Sequence, residues 1–218
     1  MVPALCHQPI YKGYMCTAVY RTSRISAVAG LFMLTALSIQ AMAQPTLDIK
    51  LVHDTSPEQK TRTQLQGIMT KYDLSRWLFT HEINIESQEI PHSHPVLTLN
   101  TRHLNQDDLL LSTFIHEQLH WFLDTRKNAT AAAITELRAM YPEIPVGYPD
   151  GSNDVEGNYE HMIVISLEYQ ALQILLGQSK AEEVMVYWSE DHYKWLYKKA
   201  LADQALLGAL VVKYGLLP

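Results

Sequence analysis

The chain has 218 residues, with 17 Lys and Arg against 23 Asp and Glu, for a net charge of −6. An acidic balance excludes the broad basic surface that nucleic acid or an anionic membrane attracts. The 2 cysteines, Cys6 and Cys16, both fall near the start, so the stability of the rest cannot depend on disulfides.

Lys12, Arg21 and Arg24 form a basic segment, Ile25 to Ile39 is apolar, and Ala41-Met42-Ala43 before Gln44 fits a signal-peptidase site. Residues 1–43 are expected to be an export leader. The protein is then periplasmic or secreted, without stable membrane association after leader removal, because the apolar run is short for a span. The leader holds no acid, so residues 44–218 are more acidic than the whole. Their number suits one domain with one core.

Thr46 to Val52 alternates and predicts a strand, and Pro57 to Asp73 predicts a helix with Leu65, Ile68 and Met69 inward. Trp77 to Ile85 returns to alternation. The turn-like Ser87-Gln88-Glu89 precedes Ile90 to Pro95, and Val96 to Thr101 reads as a further strand. His92 and His94 would share one face of a strand and invite a second metal site, but their flanking prolines favour an exposed loop or edge, where histidine needs no ligand.

Leu109 to Leu123 contains His116-Glu117-Gln118-Leu119-His120 inside an apolar periodic run. Asn105 is the expected N-cap, with Asp107 and Asp108 in the first turn. On a helix, His116 and His120 lie on one face and can hold one metal ion, with Glu117 beside them. Zinc accepts two neutral imidazoles, a third protein ligand and a water, from which the carboxylate can take a proton. Asp124 continues the histidine face and could bond a ligand histidine or cap the helix end.

Ala129 to Met140 predicts another helix. Tyr141 to Gly157, with Pro142, Pro145, Pro149, Gly147, Gly151 and Gly157, reads as a long loop that could cover a cleft. Asn158 to Leu172 is helical and ends near Gly177. His161 and Glu168 share its apolar face, with Glu160 facing away. Seven residues span about 10.5 Å of helix, so His161 and Glu168 cannot both contact one ion. His161 is the first choice of third ligand, with Glu168 then its deeper partner; Glu168 as ligand is the alternative. Ser179 to Leu216 is helical and aromatic, and its His192 and Tyr193 could reach the cleft. The whole reads as an α+β domain, with a small N-terminal sheet and a larger helical C-terminal part.

His116-Glu117-x-x-His120 on an apolar helix resembles the zincin metallopeptidases. No further histidine or glycine follows within Trp121 to Lys127, so the pattern differs from the metzincin subgroup and is similar to small, single-domain gluzincins, whose third ligand comes from a later helix. The resemblance implies zinc as cofactor and a peptide or protein substrate. It also implies an edge strand before the motif helix on which an extended peptide lies. Glu117 would be general base, with a Tyr or His donor stabilising the oxyanion: Tyr159 first, then Tyr148 and His192. A different class is a non-catalytic zinc-binding periplasmic interaction protein, but a purely structural site gains nothing from Glu117.

Overall fold

The computed structural model describes residues 46–218. The expected leader, with both cysteines and the Ala43 cleavage position, lies outside the described residues. Among the described residues, no helix is long and apolar enough to cross a membrane.

Three short strands, β1 (Asp48–Leu51), β2 (Glu82–Ile85) and β3 (Leu97–Leu99), form a parallel sheet in the order β1-β2-β3. Ile49 pairs with Ile83, and Ile83 with Leu97. The crossover between β1 and β2 is α1 (Ser56–Lys71), opened by a capping box in which Thr55 and Glu58 bond each other's backbone N–H, with Pro57 in the first turn. The Glu58 carboxylate also accepts from His53 N, Ser87 N and Ser87 Oγ, each at 3.1 Å, and so ties the ends of β1 and β2 to this helix.

The chain leaves β2, passes outside the sheet, and returns as β3. On the way His92 exchanges two backbone hydrogen bonds with Thr98, at 3.1 and 2.8 Å. β3 ends the strand order, yet at Thr98 its outer backbone groups are already paired, and Leu97, Thr98 and Leu99 are all buried.

α2 (Asp107–Asp124) carries the histidine motif and is buried along most of its length. Its N-cap is Gln106, which makes no side-chain capping bond. Asn105 instead stands one residue earlier with φ 64°, a left-handed turn that asparagine tolerates. α3 (Lys127–Met140) follows, then a loop, then α4 (Val155–Leu176). Asp154 caps α4 by accepting from Glu156 N and Gly157 N at 3.1 and 3.0 Å. α4 is apolar nearly all round because α2, α3, α5, α6 and α7 pack against it.

The C-terminal region is three helices, α5 (Gln178–Asp191), α6 (Lys194–Ala202) and α7 (Gln204–Lys213). Its first break falls at His192-Tyr193, where Tyr193 adopts φ 48°. A bulky side chain in that left-handed region costs on the order of 1 kcal/mol and persists only where its surroundings hold it. The fold is thus mixed: a small parallel sheet and seven helices among the described residues, compatible with α+β.

Candidate metal centre

One turn of α2 separates His116 from His120, whose ring centroids lie 5.2 Å apart. In its second turn, α4 brings His161 to 5.5 Å from the first ring and 4.9 Å from the second. One ring nitrogen from each of the three lies within 4.8 Å of the other two, an arrangement that could hold a metal ion.

Each Nδ1 is already engaged. That of His116 lies 2.9 Å from Glu168 Oε2, that of His120 2.7 Å from Glu160 Oε1, and that of His161 2.6 Å from Gly157 O. Such partners fix the ring orientation and tautomer and leave Nε2 as the ligating atom. The donor set therefore fits a resident metal: three imidazoles, two backed by carboxylates and one by a carbonyl.

Sequence alone left His161 and Glu168 as alternatives; the fold brings His161 to the motif histidines and sets Glu168 behind His116. Glu168 is fully buried and also accepts from Ser112 Oγ and, at 3.1 Å, from Tyr197 OH. Ser112 Oγ in turn accepts from Trp188 Nε1 at 2.8 Å. With these donors its oxygens are committed, and it serves His116 rather than a fourth position. Glu160, expected to face away, reaches His120 because a residue next to His161 still lies within a third of a turn of it.

Glu117 is buried beside this cluster, and among the described residues its carboxylate has no hydrogen bond. Burial pushes its pKa up to about 7; nearby Glu168 adds to the rise and His120 opposes it. Burial likewise raises Glu168 to about 7, against the hydrogen bonds from Ser112 and Tyr197. Burial, then the neighbouring His120 and His116, press His161 down to about 3, and burial holds His116 well below the usual histidine range. Neutral imidazoles are the form that binds a metal. Burial lowers His120 too, but Glu160 and Glu117 outweigh it and its pKa ends raised.

Tyr159 does not face the site. Its hydroxyl donates to Tyr141 O at 2.8 Å, and its ring lies under Arg138. It is two residues from His161, which turns it to the other side of α4. Tyr148 stands in solvent, and His192 is bonded through Nδ1 to Asp191 at 2.9 Å. The tyrosine at the cluster is Tyr193, its ring centroid 4.6 Å from that of His161. The break between α5 and α6 puts it there, and that break has no proline or glycine to announce it.

His94 bonds Asp124 through Nε2 at 2.9 Å and stacks on Trp121 at 4.3 Å. His92 Nδ1 turns to Ile90 O. The two histidines are not brought together, and Asp124 serves His94 instead of a motif histidine. A second group that could hold a metal ion is His53, Glu58 and Glu86. There Glu58 accepts four hydrogen bonds and His53 Nε2 lies 2.7 Å from Glu86 Oε1, which occupies these groups in tying the strand ends together.

No protein-family model, curated protein or solved structure matches this chain.

Proposed function

We propose that this protein is an exported zinc-dependent hydrolase, a metallopeptidase of the zincin type. The observation that carries this reading is the convergence of three oriented histidines beside Glu117, a buried carboxylate without a hydrogen-bond partner. A carboxylate that the surrounding side chains leave unengaged is free to take a proton from a water beside the cluster. Zinc is the ion of choice because imidazoles whose other ring nitrogen is held by a carboxylate suit it.

Zinc, when bound, supplies Lewis acidity that polarises a carbonyl and makes water acidic near neutral pH. His116, His120 and His161 would hold it through Nε2, with Glu168, Glu160 and the Gly157 carbonyl setting their rings. Glu117 would take a proton from the attacking water and pass it to the leaving amine. Tyr193 takes the oxyanion-donor role first assigned to Tyr159. Export rests on residues 1–43 as a leader.

The deciding experiment is a peptide-library digest with wild-type and Glu117→Gln protein, alongside zinc content. The variant should keep zinc and lose roughly 10²- to 10⁴-fold in cleavage. Wild type that binds zinc and cleaves nothing, or two proteins that cleave alike, would favour a non-catalytic zinc-binding protein.

A further inference from the structure

The two outer strands of the sheet end differently. β3 is closed at Thr98 by His92, and all three of its side chains are buried. β1, at the other end of the strand order, has no strand outside it among the described residues. Asp48 N and Val52 N donate toward β2, to His81 O and Ile85 O at 2.8 and 3.0 Å. Backbone groups point alternately to the two sides of a strand, so those of Asp48, Lys50 and Val52 turn to β2 and those of Ile49 and Leu51 turn away. Among the described residues, nothing bonds these outward N–H and C=O groups. Such an edge is a template for one more strand.

The residues of the strand say which strand fits. Thr46-Leu47-Asp48-Ile49-Lys50-Leu51-Val52 is self-complementary about Ile49. Laid antiparallel on a second copy with Ile49 opposite the partner's Ile49, it sets Asp48 opposite the partner's Lys50 and Leu47 opposite the partner's Leu51, each twice over by two-fold symmetry. In that register the outward groups of Ile49 meet as a hydrogen-bonded pair. The symmetric registers one step to either side would instead set lysine against lysine at position 50 or aspartate against aspartate at position 48, which is unfavourable. Leu47, Ile49 and Leu51 are only partly buried, whereas Ile83, Ile85, Leu97 and Leu99 of the inner sheet are almost wholly so. Asp48 and Lys50 are exposed, and among the described residues neither has an ion-pair partner. A lysine on an edge is an ordinary guard against pairing, but here self-pairing turns each lysine onto an aspartate.

We propose that β1 is a homodimerisation edge: two copies of the chain join β1 to β1, antiparallel about Ile49, into one sheet with three strands from each. A parallel sheet extended by an antiparallel junction is a common arrangement. No residue of the metal centre takes part, so the inference stands apart from the metallopeptidase reading. The seam is short beside the roughly 1,200–2,000 Å² of stable interfaces, and the association is therefore reversible.

The test is sedimentation velocity over a concentration series up to about 1 mM, on the protein in the form that cells retain. Wild type should pass reversibly from monomer to dimer. Asp48→Lys and Lys50→Asp each set like charges opposite one another at both crossings, and each should weaken the dimer roughly 10- to 100-fold. The exchange Asp48→Lys/Lys50→Asp should restore it to near wild type, and an equimolar mixture of the two single variants should form mixed dimers. Hydrogen exchange gives a second reading, because the Ile49 and Leu51 N–H groups should be slow in the dimer and fast on dilution. Wild type that stays monomeric with fast exchange at both positions overturns the proposal. So does a monomer in which both are slow at every concentration, which would put residues 1–45 of the same chain on the edge. A dimer indifferent to the charge variants also overturns it and places the interface on another face.

Discussion

Glu168 holds His116 at 2.9 Å from inside the core, one helix carboxylate setting the angle of a histidine on another. If Glu168 positions His116 and His161 ligates, their variants separate. His161→Ala removes a ligand and should abolish stoichiometric zinc. Glu168→Gln keeps the shape but not the charge, and should weaken zinc by roughly 10- to 100-fold. Competition against a chelator of known affinity measures both, and wild-type zinc affinity in His161→Ala would displace it from the ligand set.

Tyr193→Phe and Tyr159→Phe remove one hydroxyl each with opposite expected consequences. The first should lower kcat by about 10²-fold, as loss of an oxyanion donor does, with zinc content and thermal midpoint unchanged. The second leaves the Tyr141 carbonyl without its donor and should cost about 1 kcal/mol of stability while kcat stays near wild type. Steady-state kinetics with thermal unfolding on both variants decides between the two tyrosines.

The two tyrosines also show what was legible in the sequence. His116 and His120 could be read because their relation is local, four residues along one helix. His161 followed from its place near the loop. Tyr159 stands two residues before His161, but two residues on a helix are about 200° of rotation, and its hydroxyl ends on the Tyr141 carbonyl. Tyr193 depends on a left-handed residue between two helices, which tertiary packing imposes. β1 and β3 lie within two residues of the ends read for them, whereas the alternation read from Trp77 begins five residues before β2, across a short 3₁₀ turn at Ser75–Trp77. The closure of β3 by His92 was not foreseen, since it pairs residues across a turn that only the folded sheet defines. Asn105 was expected as a cap and became the turn before it, an exchange open to a residue that does both well.

Arg102 bonds both carboxylate oxygens of Asp191, and with His192 it holds the Asp191 pKa down at about 2. The depressed value means that this pair's stabilisation is present above the ordinary aspartate pKa near 4 and is lost as pH falls from there toward 2. Arg102 is half-exposed, so solvent screening limits the contribution to about 1 kcal/mol. Arg102→Gln should lower the thermal midpoint at pH 6, and its gap from wild type should begin to narrow below about pH 4 and close only as pH falls through about 2. A gap that stays constant across that range would remove the pair from the account. Added salt should narrow the gap at pH 6.

The leader prediction is read by N-terminal sequencing of protein from the exported fraction, which should begin near Gln44. Arg21 or Arg24 still attached would describe an anchored protein instead.

Between Glu117 and His120 lie Gln118 and Leu119, both fully buried. The Gln118 amide accepts from Phe79 N and Thr80 N at 2.8 and 2.9 Å and donates to Thr80 O at 2.8 Å. It thereby fastens α2 to the segment entering β2. An apolar residue there would leave two N–H groups unmet, and a glutamate would set oxygen against oxygen at Thr80. The residues between Glu117 and His120 are therefore not free to vary in this chain. A descendant that kept His116, Glu117 and His120 but lost Gln118 would retain every reactive group and lose the seam that aligns them with the sheet.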